Sequence, residues 1–309
     1  MMDTTINTAQ PGPVAMIDAL NNTFGKHAGK RASHAKGFCA SGEFEPSPDA
    51  AQLVDGPLFR AGTLPATLRF SVGGGNPGVS DKSRSVRGLA LRVAHGDDQW
   101  DLVLLSEPVF FAATPESFVS FLAARVADPV TKKPNPANVA AHNARFPDGT
   151  RQPALLAAHG APASYATTPY FSNNAFTFKS ADGVVKTARI VARPLAGTRY
   201  LSEEDEIAYP DNFLEEELAL RTHGAPVEFD ILAQLPAAGD SLTDPSQPWL
   251  GAGVVKLGRL RVIAIAEPGA CDGLVFVPVN LPAGVGVGED PILLSRAAAY
   301  AVSLKRRAA

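Results

Sequence analysis

The chain has 309 residues, 45% of them hydrophobic and 19% charged, with a net charge of −3, the profile of a globular protein and not of a disordered or fibrous one. The mild acidity argues against nucleic acid or an anionic membrane as partner, since both call for a basic surface, and no apolar run approaches a membrane span. Two cysteines, Cys39 and Cys271, are too few for a disulfide framework or a cysteine-rich metal site.

The opening residues, MMDTTINTAQPGPVAM, lack the basic start and apolar core of a signal peptide. The expectation is therefore a cytoplasmic protein with reduced thiols. Residues 1–29 read as an N-terminal arm with one short helix around VAMIDALNNTF, and residues 30–309, which no clear linker divides, as a single domain. Runs rich in β-branched and aromatic residues, bounded by Gly, Pro and Asn clusters, predict eight strands. They lie near 36–45, 67–73, 87–94, 98–105, 174–180, 184–193, 226–235 and 254–265. HGDD and Asp182–Gly183 supply turn signals for two hairpins. Helices are expected at 115–127, with proline in the first turn, at 211–222 and at 290–306. The fold class that results is mainly β with helices (α+β): an antiparallel barrel able to enclose a buried ligand, with helices over its ends and sides. A polar insertion at 128–172 is too long for an idle connection and should cover something or meet another subunit.

Several residues could carry chemistry. His34 lies between a basic turn containing Arg31 and the first strand. Arg69 and Ser71 lie on the second strand, ahead of VGGGNPG, whose spacing fits neither a Walker loop nor a dinucleotide fingerprint. Phe110, Phe111 and Phe118 span a strand end and a helix start, where they suit either a core or the flat walls of a pocket. On the last helix Arg296 and Tyr300 are four apart and Arg307 falls on the same face. A guanidinium one turn away favours a phenolate, and a phenolate is a good ligand for ferric iron. A tyrosine packed on the core beside solvated arginines is the simpler reading of that helix alone. His27, His95, His142, His159 and His223 have no metal-ligand spacing, and SEEDE at 202–206 reads as solvated surface.

Together, RASHAKG, RFSVGGGNPGVSDKSRSVRGLAL, WDLVLLSEPVFF, SYATTPYFSNNAFTF and RAAAY occur in the order found in the haem catalases. Over residues 31–307 the chain resembles that family, and most of all its short catalase-related peroxidases. The resemblance implies the eight-stranded antiparallel catalase barrel with flanking helices, and haem, of type b, as cofactor. It implies that His34 is the distal histidine that shuttles the peroxide proton and that Ser71 orients it. Tyr300 matches the iron ligand and Arg296 the arginine that supports it. Arg31, Arg69 and Arg307 match the arginines that clamp the haem propionates. Phe118 matches the ring over the distal haem face, and Phe110 a wall of the peroxide channel.

Three departures bear on activity. An asparagine expected opposite the histidine falls on Leu105, and a channel aspartate falls on Ser85. The chain also ends soon after the tyrosine helix, without the C-terminal regions of larger catalases. Ala166 stands where NADPH-binding members carry arginine, so no NADPH is expected. The expected function is a haem peroxidase that reduces hydrogen or organic peroxides with a small organic electron donor, with slow catalase activity alongside. Alternatives are a catalase-like haem lyase acting on fatty-acid hydroperoxides and a non-catalytic haem-binding protein. The short arm points to a monomer or homodimer.

Overall fold

A computed structural model describes residues 10–308; the start of the predicted arm, residues 1–9, lies outside them. The helices are α1 (Pro13–Phe24), α2 (Pro57–Arg60), α3 (Pro115–Ala123), α4 (Pro136–Arg145), α5 (Arg151–Ala157), α6 (Glu203–Ala208), α7 (Leu214–Gly224) and α8 (Pro291–Ala308). The strands are β1 (Gly37–Pro46), β2 (Leu64–Val72), β3 (Arg87–His95), β4 (Asp98–Leu105), β5 (Tyr170–Lys179), β6 (Val185–Pro194), β7 (Val227–Gln234), β8 (Val254–Ile265) and the short β9 (Val285–Val287). All eight predicted strands form. The sheet order is β4-β3-β2-β1-β8-β7-β6-β5-β9, antiparallel throughout, and it closes where Leu105 of β4 pairs with Phe171 of β5. The fold is thus an eight-stranded antiparallel barrel with flanking helices and β9 added beside β5.

Side chains alternate across each strand, and the alternation decides where a ligand can go. Leu68 and Phe70 of β2, Leu89 and Leu91 of β3, and Trp100, Leu102 and Leu104 of β4 are buried in one continuous core. Phe44, Tyr165, Tyr170, Phe178 and Phe229 join them. The interior is therefore closed by bulky side chains, and the expectation of a ligand enclosed by the strands is corrected. Strands this rich in aromatic and branched residues fill a barrel of this size.

Residues of the opposite parity face a helical layer outside the barrel. There α1, α3 and α8 share a second apolar cluster containing Met16, Ile17, Leu20, Phe118, Leu122, Ile292 and Ala299. Thr23 Oγ1 donates to the Leu122 carbonyl at 3.1 Å, and Arg306 pairs with Asp18 at 2.7 Å, so the three helices are tied at their ends. Proline at N1 starts α1 and α3, and Thr114 and Ser117 form a capping box on α3. The predicted segment at 211–222 forms α7, which starts three residues later and ends two later, and the 128–172 insertion contains α4 and α5.

The cysteines are not free thiols. Cys39 on β1 and Cys271, in the segment between β8 and β9, form a disulfide with their Cα atoms 6.1 Å apart. Their separation of 232 residues hides the pairing in the sequence; the barrel brings them together because Cys39 faces outward beneath that segment. No helix among the described residues is long and apolar enough to cross a membrane.

Candidate active site

A cavity of about 570 Å³ lies between the outer face of β2–β4 and the helices, within the size range of small-molecule and cofactor sites. Strand register builds its floor in two rows. One row is Gly37–Ser71–Gly88–Leu105, the other Cys39–Arg69–Ala90–Val103. Gly88 and Ala90 keep the middle of that floor low. A Cβ on Gly88 would lie 2.6 Å from Ser71 Oγ and 2.8 Å from His34 Nδ1, so the glycine is the space the imidazole occupies.

His34 has a φ of 54°, a left-handed backbone uncommon outside glycine and frequent at functional sites. The conformation is held from both sides. Arg69 Nη2 donates to the His34 carbonyl at 2.9 Å, and Ala35 N donates to the Gly74 carbonyl at 3.1 Å. The ring is held as well, with Nδ1 and Ser71 Oγ 3.0 Å apart, which leaves Nε2 free. Burial and the surrounding cations, Arg69 first, push the His34 pKa down to about 3. The surface His34 exposes is cavity surface, and the imidazole is neutral at physiological pH.

Tyr300 enters the same cavity from α8. Its hydroxyl oxygen accepts two hydrogen bonds from Arg296, from Nη2 at 2.7 Å and Nε at 3.3 Å. Arg296 Nη1 in turn donates to Asn174 Oδ1 at 2.9 Å, and Asn174 Nδ2 donates to Asp290 Oδ2 at 2.6 Å. Asp290 Oδ1 accepts from the backbone of Ile292 and Leu293, capping α8. Burial raises the Asp290 pKa, and the Asn174 hydrogen bond opposes it. A bulge between Phe171 and Ala175, with Asn173 at φ 58°, turns Asn174 toward α8. The tyrosine is thus anchored to the barrel through a guanidinium, an amide and a helix cap.

Arg31, Arg69 and Arg307 converge on the cavity, and none has a carboxylate within ion-pair distance among the described residues. Arg31 Nη2 donates to the carbonyls of Cys271 (3.1 Å) and Leu274 (2.8 Å), and Arg307 Nη2 donates to Leu274 (3.0 Å). Burial, then the charges of Arg69 and Arg307, lower Arg31 to about 9; burial lowers Arg69 to about 10. All three stay charged at neutral pH, so the shifts mark a repulsive cluster suited to anionic groups. The segment that supplies the carbonyls is pinned by the disulfide and by Asp101, which accepts from Val277 N at 2.9 Å.

The remaining walls are apolar. Phe110 and Phe118 stack with centroids 6.3 Å apart, Phe111 packs 5.2 Å from Phe118, and α1 contributes Ile17 and Leu20. Gln152, Pro153, Leu156 and Ala157 of α5 also line the cavity, so the polar insertion covers it. All nine residues singled out in the sequence line this one cavity: Arg31, His34, Arg69, Ser71, Phe110, Phe118, Arg296, Tyr300 and Arg307. Leu105 and Ser85 line it too. Arg69, which alone reads as surface charge, is 5% exposed. Gly88, Asn174 and Asp290 escaped the sequence reading. Only Asp290 left a local signal, an N-cap residue just before Pro291.

The profile of the family described as Catalase matches residues 9–219. A catalase-related peroxidase of Synechococcus elongatus is 35% identical over 98% of this chain and 91% of its own length. One of Mycolicibacterium paratuberculosis is 35% identical over 96% of this chain and 94% of its own. A catalase of Methanosarcina barkeri is 25% identical over 96% of this chain and 63% of its own. Among solved structures, a fungal catalase superposes with a TM-score of 0.81 at 19% identity, over 91% of this chain and 60% of that one. Catalase A from Saccharomyces cerevisiae also gives 0.81, at 20% identity, with 62% of its length covered.

Proposed function

This chain belongs to the catalase family, and from that premise we propose that it is a haem peroxidase that reduces hydrogen or organic peroxides with electrons from an organic donor. The observation that carries the reading is the meeting, in one cavity, of an arginine-supported tyrosine, an unpaired arginine cluster and a neutral histidine.

The residues fit haem. Tyr300 would hold the iron, its oxygen favoured as an anion by two hydrogen bonds from a guanidinium. Arg31, Arg69 and Arg307 have no carboxylate of their own and would hold the propionates, while Phe110 and Phe118 would flank the apolar macrocycle. Haem b is the form this reading takes, since no cysteine is left for covalent attachment. When bound, the group supplies the electrons that cleave the peroxide O–O bond.

The protein's part is proton handling and exclusion. A proton on Nδ1 of His34, donated to Ser71 Oγ, leaves the Nε2 lone pair available to incoming peroxide. Nε2 takes the peroxide proton and returns it to the leaving oxygen, which departs as water or an alcohol. The burial and cations that lower its pKa make the imidazolium short-lived, so the proton is not retained. Leu105 offers no hydrogen bond at the breaking bond, which weakens the electrostatic help available for disproportionation. Reduction by an organic donor is the outcome this arrangement favours.

The test is absorption spectroscopy with turnover. Haem-reconstituted wild type should show a Soret band, change spectrum on adding peroxide, and oxidise a dye donor. His34→Ala should keep haem and lose the rapid peroxide reaction, and Tyr300→Phe should fail to retain haem. Equally poor dye oxidation by wild type and His34→Ala would leave only a haem-binding protein. An epoxide from lipid hydroperoxide without any donor would indicate a lyase.

A further inference from the structure

Apart from Arg296, which is committed to Tyr300 and Asn174, four cavity-lining arginines have no carboxylate partner among the described residues: Arg31, Arg69, Arg307 and Arg125. The first three form a cluster: burial lowers the pKa of all three, and repulsion from neighbouring arginines adds to it at Arg31 and Arg69. Arg125 stands apart. It follows the C-terminal end of α3 and is half-buried, and burial lowers its pKa. Burial, and then the positive charge of Arg125, keep His142 neutral.

Its contacts fix its position without satisfying it. The guanidinium carbon rests 3.4 Å from the centroid of the Phe121 ring, a cation–π arrangement that holds the group by its face. One donor, Nη1, reaches the Phe121 carbonyl at 3.1 Å. A guanidinium has five N–H donors, so four are left without an acceptor among the described residues. Beside it the wall is aromatic: Phe121 packs 4.5 Å from Phe111, which packs 4.4 Å from Phe110. A fixed cation with free donors at one end of an apolar, aromatic wall is complementary to a monocarboxylate with an apolar body.

We infer that Arg125 binds the carboxylate of an organic acid whose aryl or acyl body lies along Phe121, Phe111 and Phe110. Resting on the peroxidase reading above, this assigns the class of organic substrate: amphiphilic carboxylates, selected over their neutral counterparts. Arg125 is a specificity residue in this scheme and takes no part in proton transfer.

The test compares matched pairs on the haem-loaded enzyme. With hydrogen peroxide fixed, 4-hydroxycinnamate and its methyl ester are compared as donors for wild type, Arg125→Gln and Arg125→Lys. Wild type should show a KM about tenfold lower for the acid, about 1.4 kcal/mol of preference. Arg125→Gln should equalise the two by raising KM for the acid alone, and Arg125→Lys should restore part of the difference. Calorimetric titration of decanoate, decanol and cinnamate, without peroxide, separates acyl from aryl bodies and does not depend on turnover. If no donor is oxidised but wild type binds a carboxylate that Arg125→Gln does not, the peroxidase reading fails and this assignment stands. Equal wild-type KM values for acid and ester, or a preference that survives in Arg125→Gln, overturn it. Loss of haem from Arg125→Gln also overturns it, because Arg125 would then be a fourth haem anchor.

Discussion

Gly88→Ala is the sharpest probe of the histidine's placement. The new methyl group would sit 2.6 Å from Ser71 Oγ, 2.8 Å from His34 Nδ1 and 3.0 Å from His34 Cε1. It would push into the two groups that make the 3.0 Å His34–Ser71 contact. The strand cannot yield, since Gly88 is paired with Ser71 on one side and Leu105 on the other, so the ring must move. Overpacking of this kind costs about 1–3 kcal/mol, and displacing a reacting group by ~1 Å can cost on the order of 100-fold in rate. The expected variant keeps haem, because no residue around Tyr300 is touched, but reacts with hydrogen peroxide at least tenfold more slowly in stopped flow. Its urea midpoint should drop to match the packing cost. Gly62→Ala, where a Cβ meets nothing within 4 Å, is the control and should match wild type in both assays. A Gly88→Ala enzyme that reacts at the wild-type rate would falsify the view that this glycine makes room for a proton-transferring imidazole.

Asn174→Ala should remove the link between Arg296 and Asp290, leaving a buried carboxylate oxygen unpartnered at a cost of about 1–3 kcal/mol; an unchanged melting temperature and Soret band would rule out the anchoring role. Replacing Cys39 and Cys271 together by alanine should lower unfolding free energy by about 2–5 kcal/mol, given the long loop the bond closes. The same variant should release haem faster, since Cys271 and Leu274 carry the carbonyls that hold Arg31 and Arg307. Two titratable thiols in denatured, unreduced wild type would show that the bond does not form. Leu105→Asn puts a donor in the row that contains Gly88 and should raise oxygen release from hydrogen peroxide; an oxygen-electrode trace identical to wild type would refute the role given to Leu105.

Strand content was legible because alternation and turn chemistry are local, and each of β1–β8 follows a run of branched and aromatic residues. The nine candidate residues could be picked out as a group because the segments carrying them keep their order and spacing. The sequence by itself determined the barrel strands, the Arg296–Tyr300 pairing one helical turn apart, and the proline starts of α1, α3 and α8. Tertiary structure alone decided that the ligand space lies outside the barrel, because side-chain volume summed over eight strands, and not any one strand's pattern, closes the interior. It also decided the Cys39–Cys271 bond, the turning of Asn174 toward α8 by a bulge, and the placement of Arg125 on the cavity wall. These depend on contacts between residues tens to hundreds of positions apart. Local propensity carries no record of such distances, which exist only once the sheet closes and the helices are laid across its outer face.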